Sequence, residues 1–195
     1  MLTLLQQEDS LEAYLQRTEV IDLDDPSVRH AHAGIVEGAV DREEVTRRVF
    51  FFVRDQIRHS ADAGDHVVTL RASEVLSAAT GLCYAKSHLA AALLRLSGIP
   101  TGLCFQLLQN NDRLVLHGLI AVHLDGAWHR LDVRGDRPGL HARFSLGDEA
   151  LPFRCDASLG EQDLPQLLAD AAPAVVRCLT NTHDILTANL PDSIR

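Results

Sequence analysis

The sequence predicts an α+β fold, and three features carry that expectation. Apolar residues recur at helical spacing through the first half of the chain, the period shortens to two between Leu103 and Val133, and a helical pattern returns near the C-terminal end. Asp125-Gly126, lying between two of the period-two runs, is a strong hairpin signal, so the strands are expected to be antiparallel.

The elements follow in order. Asp25-Pro26 puts a capping carboxylate ahead of a first-turn proline, and Val28, His32, Ile35 and Val36 continue at helical spacing up to Gly38. Asp41 to Glu44 is a D-x-x-E variant of the capping box; Val45, Val49, Phe52, Val53 and Ile57 then repeat at intervals of three and four, with the helix ending near His59-Ser60. A polar stretch from Ser60 to Asp65 leads to a β-like Val67-Val68-Thr69-Leu70 and to one or two helical turns from Ser73 to Ala79, broken by Gly81. A new helix is expected from Cys83 to Ser97, with Leu89, Ala92, Leu93 and Leu96 on one stripe and Gly98 and Pro100 as stop signals. Strands are expected at Leu103 to Leu108, Leu114 to Leu124 and Ala127 to Val133, then a less regular connection from Arg134 to Pro173 and a helix from Ala174 to about Leu190.

With 195 residues and 21.4 kDa, residues 1–195 are expected to form a single domain whose core lies at about 45–135. Eighteen Lys+Arg against 27 Asp+Glu give a formal net charge of −9, the wrong sign for a surface that binds nucleic-acid phosphates or anionic lipid. The opening MLTLLQQEDSLEAYLQR is unlike a secretory signal, and the apolar run Val49 to Val53 falls far short of the ~20 residues of a membrane span, so a cytoplasmic protein is expected. The cysteines at 83, 104, 155 and 178 show no C-x-x-C spacing, which argues for free thiols over a zinc ribbon or redox pair. A zinc site drawn from Cys83, Cys104 and His117 has no supporting local spacing.

Chemistry concentrates around Cys83. In the first turn of a helix, backbone N–H groups without helical partners and the positive end of the helix dipole stabilise a thiolate; Gly81 allows a sharp turn just before it. The competing reading is a small buried hydrophobe, the commoner fate of a cysteine. A base comes from the hairpin. If Asp125-Gly126 is the turn, opposed residues have numbers summing to 251, so Leu119 faces Asp132 and His117 shares their sheet face. Asp132 is then the diagonal neighbour of His117 at about 7–8 Å between backbones, which an imidazole and a carboxylate can bridge. His123, opposite Trp128 on the same face, is the reserve base.

Gly81-Leu82-Cys83-Tyr84-Ala85-Lys86-Ser87-His88-Leu89, running on to Arg95-Leu96-Ser97-Gly98-Ile99-Pro100, resembles the nucleophile helix of the bacterial transglutaminase-like proteins. Leu116-His117-Gly118 and Asp125-Gly126-Ala127-Trp128-His129-Arg130-Leu131-Asp132 resemble their His and Asp strands, and Phe52 to Arg58 the helix before them. The resemblance implies a papain-like fold, a Cys83-His117-Asp132 triad and thiol-dependent acyl chemistry on a peptide, protein or small amide, as a cysteine protease, amidase or acyltransferase. This chemistry requires neither metal nor organic cofactor. Because the superfamily spans transglutaminases, peptidases, amidases and deglycosylating enzymes, membership does not select the substrate. The alternative is a non-catalytic domain that binds a peptide along an exposed strand edge.

Further residues have open readings. Gln56, His66 and Gln106 are candidates for a second oxyanion donor, each with a structural alternative. Lys86, one turn after Cys83, adds positive potential at the sulfur, engages a substrate acid or is a solvated surface group. Arg54 and Asp55 read as a structural pair or as helix surface, with a part in anchoring the sheet implied by the resemblance; Trp128 reads as core or as the floor of a groove, and Cys104, Cys155 and Cys178 as buried apolar residues.

Overall fold

A computed structural model describes residues 2–195. Along the chain run β1 (Leu5–Gln6), α1 (Pro26–Val36), α2 (Arg42–Gln56), β2 (Arg58–His59), α3 (Ser60–Ala63), α4 (Ala72–Ala78), β3 (Thr80–Gly81) and α5 (Cys83–Leu96). There follow β4 (Thr101–Asn110), β5 (Arg113–Leu124), β6 (Ala127–Leu131), β7 (Gln162–Leu168) and α6 (Pro173–Thr180). The larger sheet has the order β1-β7-β4-β5-β6, with β4, β5 and β6 an antiparallel meander; β2 and β3 form a separate two-stranded parallel ladder.

Helix starts obey local chemistry. Asp25 accepts from the Ser27 N–H at 2.8 Å and Asp41 from the Glu44 N–H at 2.7 Å, satisfying amides that have no helical partner. The hairpin register is the one expected: Ile120 faces Leu131 and Leu124 faces Ala127, with Asp125 at φ 50° and Gly126 at φ 81° in the turn. Strand pairing in β6 ends at Leu131, two residues before the expected Val133.

Helix α5 departs from the single apolar stripe of the sequence pattern. Every residue from Cys83 to Arg95 is buried, because α1, α2 and α4 cover one side and the sheet the other. The face of the sheet under α5 bears Leu103, Phe105, Leu116, Ile120 and Val122; the opposite face packs Cys104, Leu119 and Leu167 with Tyr14.

Three expectations are corrected. The closing helix stops at Thr180, where the Thr182 hydroxyl donates to the Cys178 carbonyl at 2.7 Å; Asp184 then caps a short 3-10 turn, Ile185–Thr187. Beyond it the chain is extended, and the Pro191 carbonyl accepts from the Leu116 N–H at 2.7 Å. Val67 to Leu70 is not a strand, since side chains take its polar groups: Glu74 accepts from the Leu70 N–H at 2.9 Å and Leu70 O lies 2.8 Å from His88 Nδ1. The connection after Arg134 contains β7, whose register against β4 shifts between Leu103 and Phe105, where Pro165 cannot donate to the ladder.

Candidate active site

Cys83 is the first residue of α5, and Leu82 before it offers no side-chain cap, so the first-turn amides are left for other acceptors. Gly81 must lack a side chain, since a Cβ there would meet Thr69 Oγ1 at 3.1 Å and the Ala85 Cβ at 3.2 Å. Gly118 is tighter still. A Cβ on it would fall 2.9 Å from Tyr84 Cδ1 and 3.1 Å from Tyr84 Cα, so only glycine lets β5 come this close to the start of α5. The contact is then fastened by hydrogen bonds: the Gly118 N–H donates to Cys83 Sγ at 3.3 Å, and the Tyr84 hydroxyl donates to the Leu116 carbonyl.

His117 and Asp132 lie on the sheet face opposite α5, and they meet the thiol at the edge of β5 that β6 leaves uncovered beyond Ile120. His117 Nε2 and Asp132 Oδ2 are 2.7 Å apart, with the side chains only 8% and 1% exposed. Asp132 Oδ1 accepts from the Arg134 N–H at 2.8 Å, which fixes the carboxylate. The edge of Phe153 packs on the imidazole at 4.9 Å between ring centres.

Burial by itself works against both charges. It raises the Cys83 thiol, yet the adjoining His117, and then His59, bring it from an ordinary 9.0 down to about 6. Burial likewise lowers His117, but Asp132 and then Cys83 outweigh it and push the imidazole up to about 10. Both directions favour a thiolate facing an imidazolium. With Asp132 on Nε2, Nδ1 is the ring nitrogen left to exchange a proton with sulfur. A cleft of about 420 Å³ opens over the pair, lined among others by Cys83, His117, His59, Arg134, Phe153 and Leu190.

The other singled-out residues lie elsewhere. His123 stacks edge-on against Trp128 at 5.1 Å, and Trp128 against Tyr14 at 5.0 Å, both away from the cleft. Gln56 is exposed at the end of α2, His66 is exposed with Nδ1 2.9 Å from Asp184, and Gln106 donates to Asp163 at 2.9 Å; none lines the cleft. Arg54 and Asp55 pair at 2.7 Å, and Arg54 also donates to the Ala142 carbonyl. Cys104 is buried among Tyr14, Leu119 and Leu167, and its thiol is pushed up to about 12 by that burial. Cys155 and Cys178 are only half-buried. Among the described residues, no group of three His, Cys, Asp or Glu side chains is arranged to hold a metal ion.

The sequence singles out Lys86 without its burial, and does not single out His59. Lys86 is wholly buried, its Nζ donating to the backbone carbonyls of Ile57 and Arg54 at the end of α2, and burial brings the amine down to about 7. The surface reading fails because α5 has no solvent face. His59 has no spacing relation to Cys83 in sequence; its side chain, 11% exposed, comes to line the same cleft as Cys83 because β2 runs alongside β3, where His59 is the register partner of Gly81.

This chain belongs to the transglutaminase-like superfamily, whose family model matches residues 29–133. The curated proteins contain no match. Among solved structures, the chain is similar to a candidate cysteine protease from Cytophaga hutchinsonii at 13% identity and a TM-score of 0.55, over 65% of this chain and 43% of that one. It is also similar to a structure described only as a TGase, at 15% identity and a TM-score of 0.46, over 78% of this chain and 45% of that one. The chain thus spans less than half the length of either, and the first likeness establishes a shared papain-like α+β fold. No helix among the described residues is long and apolar enough to cross a membrane.

Proposed function

We propose that the protein performs cysteine-dependent acyl chemistry on an amide, in a peptide, a protein or an amino-acid conjugate, with Cys83, His117 and Asp132 as the catalytic triad. The observation that carries this reading is a helix-start thiol that shares a cleft with an imidazole whose far nitrogen is 2.7 Å from a buried carboxylate. Cys83 Sγ adds to the carbonyl carbon as the C=O π pair moves onto oxygen. Collapse breaks the carbon–nitrogen bond, the amine leaves with the proton from His117 Nδ1, and an acyl-thioester remains. Water or a second amine then gives a proton to Nδ1 as it adds to the thioester carbon, and expulsion of sulfur restores the thiolate opposite the imidazolium.

A peptide-binding role along a bare strand edge is less well supported. The outward amides of β5 beside the cleft are already engaged, Leu116 by Pro191 O and Gly118 by Cys83 Sγ. The test is incubation with activated acyl esters and peptide anilides, followed by intact-mass measurement. A single acyl adduct on Cys83, absent from Cys83→Ala, is the expected result. Release of product at the same rate by wild type and Cys83→Ala would overturn the reading.

A further inference from the structure

An acyl-transfer site needs donors for the oxygen that becomes negative as sulfur adds to the carbonyl. The Cys83 amide at the helix start can serve as one. None of the side chains the sequence nominates for the second, Gln56, His66 and Gln106, borders the cleft. His59 does. It lines the same cleft as Cys83 and His117.

Its orientation is set from behind. The Arg134 guanidinium donates to His59 Nδ1 at 3.5 Å, and the same guanidinium nitrogen is 2.6 Å from Asp62 Oδ2, which itself lies 3.5 Å from His59 Nδ1. In the tautomer that accepts from Arg134 at Nδ1, the ring hydrogen resides on Nε2, the nitrogen left to face the cleft. The backbone is held as well: β2 and β3 pair with His59 opposite Gly81, two residues ahead of the nucleophile. The His59 side chain therefore stands in the cleft with the sulfur, on an element other than the one that carries His117.

We propose that His59 is a catalytic residue, the side-chain donor to the oxyanion formed when Cys83 attacks. The proposal rests on the acyl chemistry proposed above. As the sulfur–carbon bond forms, the negative charge leaves sulfur for the carbonyl oxygen, and the His59 N–H follows it from the thiolate to the oxyanion. His59 keeps its proton throughout; the proton for the leaving group comes from His117. The two imidazoles divide the work, one as acid and base and one as a fixed dipole.

Two rates separate this role from a merely structural one. Alkylation of Cys83 by iodoacetamide makes no oxyanion, whereas acylation by a p-nitrophenyl ester does. His59→Phe is expected to lower the acylation rate about 100-fold while alkylation at a pH where the thiol is fully ionised changes less than about threefold; His59→Gln, which retains an N–H donor, recovers most of the acylation. His59→Leu gives the same comparison if the phenyl ring disturbs the cleft, with circular dichroism as the check on folding. Equal losses of alkylation and acylation would overturn the proposal, leaving His59 as a stabiliser of the thiolate alone, and unchanged rates in both assays would overturn it too. A wild type that acylates no faster than a free thiol, with ordinary alkylation, would instead sink the acyl-transfer reading, and the donor role with it.

Discussion

Cys83 and Cys104 are both buried, 7% and 0% exposed, yet their thiols move in opposite directions, to about 6 and about 12. Burial pushes both upward. Cys104 sits mid-strand in β4 among Tyr14, Leu119 and Leu167, and nothing there outweighs the loss of water. Cys83 opens a helix at a sheet edge and shares its cleft with His117 and His59. Reactivity in this fold follows from which polar groups reach a thiol after burial, not from burial itself.

The widest separation of the two thiols comes from deleting them. Cys83→Ala should lower acyl-transfer turnover by on the order of 10⁴-fold or more, measured as ester or anilide hydrolysis, and Cys104→Ala should leave it unchanged.

His117→Ala tests the cause of the difference. Without this imidazole, burial is opposed by His59 alone, and the thiol rises toward its ordinary value. At pH 7 the thiolate fraction should fall about 100-fold, while the more basic thiolate gains nucleophilicity, leaving a net loss of alkylation on the order of 10-fold. Iodoacetamide labelling of the Cys83 peptide, read by mass spectrometry, checks it.

Gly118→Ala should sharpen the geometric half of the comparison. The added methyl would sit 2.9 Å from Tyr84 Cδ1 and press against Tyr84 backbone, so β5 and α5 must separate. A destabilisation of about 1–3 kcal/mol is expected from urea unfolding, together with slower Cys83 labelling because the Gly118 N–H no longer holds the sulfur. The smallest effect is that of Cys104→Ala on stability, about 1 kcal/mol for the small cavity it leaves.

How far the sequence reaches is uneven for physical reasons. The hairpin was legible because Asp125-Gly126 favours one turn and period-two alternation then fixes the partners, which is enough to bring His117 and Asp132 to one face. The start of α5 was legible from Gly81 and its end from the stop signals at Gly98 and Pro100. Lys86 and His59 were not legible. The acceptors of Lys86 are carbonyls of Arg54 and Ile57, and the place of His59 depends on a two-residue parallel ladder too short to leave a pattern. Strand β7 was hidden by Pro165 at its register shift, and the tail by side chains of Thr182 and Asp184 that compete with a helix.

The pH dependence of Cys83 alkylation bears most directly on the thiolate–imidazolium pair. A thiol lowered to about 6 ionises between roughly pH 5 and 7, and His117, raised to about 10, keeps its proton across that range. The labelling rate should therefore rise with a midpoint near pH 6 and hold nearly level to pH 8, and His117→Ala should move the midpoint upward. A wild-type rate that climbs only above pH 8, unchanged by His117→Ala, would contradict the account.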